Sequence, residues 1–132
     1  MRVCKLPPMT EPLALVAYER IMPGSQLLVK LRDLGYRSEH VNRLGKLPAA
    51  AAEKKPLVIV VDLLWRAEDS LAAIASLANT PATEHVPILA YADMRDESLL
   101  EQALTEGAAL VAGDDGILAQ LPRLLDQALE VD

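Results

Sequence analysis

The sequence is short of cysteine, aromatic residues, clustered positive charge and long apolar runs. Each shortage excludes something. A single cysteine, Cys4, allows no disulfide framework, which fits a reducing compartment. It lies in the leading stretch MRVCKLPPMTEP, read as a loose tail, where its thiol is incidental rather than catalytic. A net charge of −6, scattered Lys and Arg, and 3% aromatics argue against a nucleic-acid surface. The longest apolar runs, LALVA and LVIVV, are far too short to span a bilayer. The first also lacks the basic flank and cleavage site of a signal peptide. The default expectation is a cytoplasmic protein with neither membrane nor nucleic-acid partner.

What is present is a core. Apolar residues make up 52% of 132, enough for one domain without disulfide or metal staples. Five apolar runs alternate with helical patterns. LALVA (13–17) is followed by SQLLVKLRDLG, where Leu27, Leu28, Leu31 and Leu34 share a helical face and Gly35 stops it. A weak strand over 39–42 precedes LPAAAAEKK, a short helix with Pro48 in its first turn. LVIVV (57–61) leads to Asp62. EDSLAAIASLA is a helix with capping residues in front and Leu71, Ile74 and Leu77 turned inward. VPILAYA is the fourth strand, DESLLEQALTEG a helix ended by Gly107, AALVA the fifth strand, and ILAQLPRLLDQALEV the last helix, with Pro122 as a blemish. Short continuous apolar strands separated by helices predict a parallel sheet covered on both faces. The right-handed crossover then favours a doubly wound (βα)5 domain of α/β class.

In such sheets ligands sit beyond the carboxyl ends of the strands. Tyr18 and Glu19 follow the first strand there, Asp62 the third, Ala92 and Asp93 the fourth, and Asp114 and Asp115 the fifth. On this reading Asp62 caps its strand at the functional edge rather than lying buried in the sheet.

The succession LVAYE, LRDLGY, LVIVVDLLW, VPILAYAD and EGAALVAGDD resembles a response-regulator receiver domain of the CheY-like superfamily, over about Leu13 to Leu129. The resemblance implies a flavodoxin-like five-stranded sheet in the order 2-1-3-4-5. It divides the chain into a flexible tail (1–12) and one receiver-like domain (13–132). It makes Asp62 the phospho-acceptor and gives Glu19, with Asp62, a weak Mg²⁺ site. Other family positions are replaced. Tyr18 stands for an acidic residue, Ala92 for the hydroxyl residue, Asp114 for the lysine, and Asp115 for a following proline. The aromatic switch position falls near Leu110 or Val111, both aliphatic. A carboxylate at 114 would repel a phosphoryl group. Like charges about 4 Å apart cost roughly 4 kcal/mol at an effective dielectric of about 20, well above the roughly 1 kcal/mol of one lost hydrogen bond.

Plainer readings stand beside these. Asp62 is a solvated strand-end carboxylate capping a turn. Asp114-Asp115-Gly116 is a turn and N-cap for the last helix. Trp65, the one tryptophan, is either a partner anchor or local packing. His40 and His85 have no second ligand at a recognisable spacing. In the last helix Ile117, Leu118, Leu121, Leu124, Leu125, Ala128 and Leu129 cover roughly 140°. That width fits either deep packing on the sheet or a partner surface beside the fourth helix. Pro122, which limits regular deep packing, favours the partner surface, with Trp65, Leu118, Leu125 and Leu129 as candidate contact residues.

The expectation is an atypical stand-alone receiver: no enzyme, no resident cofactor, acting by protein–protein contact without phosphorylation. Its partners would be a histidine kinase, another regulator or a second copy in a homodimer. The alternatives are a working receiver phosphorylated on Asp62, and a small flavodoxin-like ligand-binding domain.

Overall fold

A computed structural model of the chain describes residues 12–129 apart from Ala67. The tail expected over residues 1–12, including Cys4, lies almost wholly outside them. Five strands, β1 (Leu13–Ala17), β2 (Arg37–Val41), β3 (Val58–Asp62), β4 (Ile88–Ala92) and β5 (Leu110–Gly113), form one sheet in the order β2-β1-β3-β4-β5. Every pairing is parallel. The helices are α1 (Ile21–Asp33), α2 (Leu47–Lys54, after a 3₁₀ turn at Leu44–Lys46), α3 (Ser70–Ala78), α4 (Glu97–Glu106) and α5 (Asp114–Leu129). The expected doubly wound architecture and strand order are those observed.

The period-2 alternation of a strand sorts the core into two layers. Leu15, Ala17, Ile59, Val61, Ile88 and Ala90 face α2, α3 and α4, against Leu47, Ile74, Leu77 and Leu100. Ala14, Val16, Val58, Val60, Leu89 and Tyr91 face α1 and α5, against Leu27, Leu31, Ile117 and Leu121. Asp62 continues the Val58–Val60 parity. Its carboxylate therefore leaves the sheet on the α1/α5 side.

Local sequence fixes the element ends. Asp69 caps α3 by accepting from Leu71 N and Ala72 N at 3.1 and 3.2 Å. Gly107, at φ 132°, ends α4 in a conformation that a Cβ strains, and a Cβ there would also meet that of Ala78.

Four expectations are corrected. β2 lies at 37–41 rather than 39–42, because its pairing with β1 sets the register. The last helix starts at Asp114, immediately after β5, so Asp114 and Asp115 belong to its first turn and not to a preceding turn or cap. Asp62 is the last residue of β3 and 0% exposed, so it is neither a cap on the rim nor solvated. Leu125 is buried at 3% with Leu121 and Leu124, while Leu118 packs on the same cluster half-buried. The wide stripe of α5 is thus used on the sheet and α1, which is the deep-packing alternative. Leu129 is half-buried.

Candidate functional site

The carboxyl edge of the sheet brings together Asp62, Asp114 and a residue that the sequence reading passed over, Arg20. Arg20 sits in extended conformation just before α1, at the centre of the rim because β1 lies beside β3. Its guanidinium makes two forks. Nε donates to Asp62 Oδ2 at 2.9 Å and Nη2 to Asp62 Oδ1 at 2.7 Å. Nη1 and Nη2 donate to the two oxygens of Asp114 at 3.1 and 3.2 Å. One arginine therefore clasps the β1–α1 junction to β3 and to α5, with bidentate geometry on both carboxylates. A reading of the rim by its acidic residues passes over Arg20. The signal was the carboxylate pair itself: Asp62 and Asp114 at strand ends on one rim call for a cation between them.

Asp62 has little capacity left. Oδ1 also accepts from Leu64 N at 2.9 Å. Burial pushes its pKa up, against the hydrogen bonds from Arg20 and Leu64 and the Arg20 charge, which pull it down. Arg20 is held firmly protonated, chiefly by its bonds to Asp62, then to Asp114. The three groups sum to −1, with the cation at the centre.

The remaining rim positions are accounted for one by one. Tyr18 is buried, its ring stacked on His40 with centroids 3.8 Å apart, and its carbonyl oxygen accepts from His40 Nε2 at 2.9 Å. Gly24 permits this: a Cβ there would clash with the Tyr18 ring. Glu19 is exposed, and its Oε1 accepts from Arg66 N at 2.8 Å. Ala92 is wholly buried at the end of β4. Trp65 Nε1 donates to the Asp62 carbonyl oxygen at 2.6 Å, and its ring is half-buried against the core, which is local packing. Leu110 and Val111 are both half-buried. Asp115 and His85 are exposed.

The residues do not fit the Mg²⁺ that the resemblance implies. Such an ion needs several free oxygen ligands, whereas Glu19 and Asp62 are engaged separately and Arg20 brings a positive charge to the place. Among the described residues no group of three or more acidic, histidine or cysteine side chains could hold a metal. None of the described helices is long and apolar enough to cross a membrane.

The sequence matches no protein-family model and no curated protein. Solved structures do match. A putative response regulator from Chloroflexus aurantiacus J-10-fl superposes with a TM-score of 0.86 at 17% identity, over 92% of this chain and 100% of that one. This is the receiver fold. The receiver domain of sensor histidine kinase PA1611 from Pseudomonas aeruginosa PAO1, solved with magnesium in its active-site cleft, gives 0.82 at 20% identity over 92% and 100%. Chemotaxis protein CheY4 of Vibrio cholerae gives 0.81 at 17% over 91% and 100%. Identities this low speak for the fold. The receiver-fold rim of this chain carries its own chemistry, with an internal arginine clasp over the acidic position.

Proposed function

We propose that this chain is a signalling module of receiver type whose rim takes no phosphoryl group and which works by protein–protein contact. One observation carries the reading: Asp62 is fully buried and both its oxygens are held by Arg20. Phosphoryl transfer to a carboxylate needs an oxygen free to attack in line with the leaving group. Here both oxygens accept hydrogen bonds and the approach is covered. An incoming phosphoryl group would also meet the Asp114 carboxylate and find no hydroxyl at Ala92.

The protein-contact half of the reading draws on α1. Ile21, Met22 and Val29 are 70%, 54% and 55% exposed, large apolar groups of an acidic protein. The first two lie at the kinked start of α1, where Met22 is not helical, and Val29 on the helix proper. With Leu125 buried, α1 is a better contact surface than the outer face of α5. Partners of this kind would be a kinase, another regulator or a second copy.

The test is intact-protein mass after incubation with acetyl phosphate and Mg²⁺, beside an Asp62→Asn control. No adduct on either protein is expected. A phosphoryl adduct on the wild type alone contradicts the reading and restores Asp62 as an acceptor.

A further inference from the structure

A second feature of the rim is a cavity of about 580 Å³ between the β1–α1 and β3–α3 connections, lined by Glu19, Arg20, Leu63, Leu64, Trp65 and Arg66. It adjoins the clasp and shares Arg20 with it, while Asp62, Ala92 and Asp114 are not among its walls. Its volume falls within the roughly 300–1,000 Å³ of small-molecule sites. Its walls are preformed. The Arg66 N–H bond to Glu19 ties the two connections together, and the Trp65 Nε1 bond fixes the indole in one orientation.

The lining then has a defined chemistry. Leu63 and Leu64 supply apolar surface and Trp65 a rigid aromatic one. The Arg20 charge is already met by two carboxylates. The Arg66 guanidinium is exposed and forms no salt bridge among the described residues. Glu19 uses one carboxylate oxygen for Arg66 N and keeps the other as an acceptor. One aromatic wall, one unengaged cation and one anionic acceptor match a ligand with those features reversed. We propose that this cavity binds a small flat-ringed molecule bearing one hydrogen-bond donor and one anionic group. The ring lies on Trp65, the anion on Arg66 and the donor on Glu19. The proposal stands whether or not Asp62 accepts a phosphoryl group.

Adenosine 5′-monophosphate is a suitable probe, since it has the ring, an exocyclic amine and one phosphate. Titration of the full chain is followed by two-dimensional NMR, with adenosine and inorganic phosphate as controls. Saturable shifts of the Trp65 indole N–H and of the Leu64 and Arg66 amides are expected, with a Kd below about 1 mM. Arg66→Ala, at an exposed side chain that leaves the fold intact, weakens the monophosphate at least about fivefold and leaves adenosine unchanged. Inorganic phosphate alone leaves the Trp65 signal in place. The proposal is overturned by an absence of shifts at about 5 mM probe, by shifts centred elsewhere, or by wild-type affinity in Arg66→Ala.

Discussion

At the scale of single residues, Arg20 decides the chemistry of the rim and Tyr91 carries a cost. Tyr91 pairs with Asp62 across β3 and β4, faces the same layer, and is wholly buried. Its hydroxyl has no hydrogen-bond partner among the described residues. Burying an unpaired hydroxyl costs about 1–3 kcal/mol. Tyr91→Phe should therefore raise stability by about that amount in urea denaturation; a fall would show that the hydroxyl has a partner. The same residue gives a pH signature. Burial, then the Asp62 charge, raises its pKa above the ordinary value near 10. A raised folded pKa means that its contribution is complete below the unfolded value and is lost as pH climbs above it. Part of the alkaline loss of stability should disappear in Tyr91→Phe, while Tyr18 and Tyr36, also raised by burial, retain theirs.

At the scale of elements, the close approach of α1 to β1 depends on Gly24. A side chain there must displace the buried Tyr18 ring. Gly24→Ala should destabilise the fold by about 1–3 kcal/mol, the usual range for overpacking, and release the Tyr18–His40 stack. Unchanged stability would mean that α1 is free to move outward. The elements themselves were largely legible in the sequence. LALVA, LVIVV and VPILAYA read as buried strands, and Gly107 and Asp69 marked helix ends by their own backbone chemistry. β3 itself starts one residue later than expected, since Leu57 is exposed and Asp62 takes the last place. What was not legible is how α5 uses its stripe. A width of roughly 140° is shared by a helix seeking a partner and one packed deeply on a sheet, and only the positions of α1 and β4 show that Leu121, Leu124 and Leu125 are already covered. β2 was shifted for a related reason: RSEHV has weak periodicity, and its register comes from β1.

At the scale of the whole molecule, strand order brings β1, β3 and the start of α5 to one edge and thereby creates the clasp. The sequence placed Asp62, Glu19 and Asp114 at the carboxyl ends of their strands, but expected Asp62 to be solvated there rather than buried. It could not show that Arg20 reaches 42 and 94 positions along the chain to two of them. A charge read alone looks like a repulsive defect at Asp114; read with Arg20 it is half of an ion-pair network. The same arrangement predicts indifference to magnesium. A site with a millimolar Kd would add about 1.4 kcal/mol at about 10 mM MgCl₂. No rise in Tm beyond that of an ionic-strength control is expected, and a rise abolished by Asp62→Asn would reveal a site that the clasp leaves open.

The most direct measurement is a double-mutant cycle in urea between Arg20→Ala and Asp62→Asn. Arg20 is 32% exposed and Asp62 0%, so stranding the buried carboxylate should cost somewhat less than the roughly 3–5 kcal/mol of a fully buried pair. A coupling energy of about 2 kcal/mol or more is expected, with Arg20→Ala costing much less once Asp62 is neutral and only the partly exposed Asp114 is left unpaired. A coupling below about 0.5 kcal/mol, as for a solvated surface pair, would contradict the clasp and reopen the rim to phosphoryl chemistry.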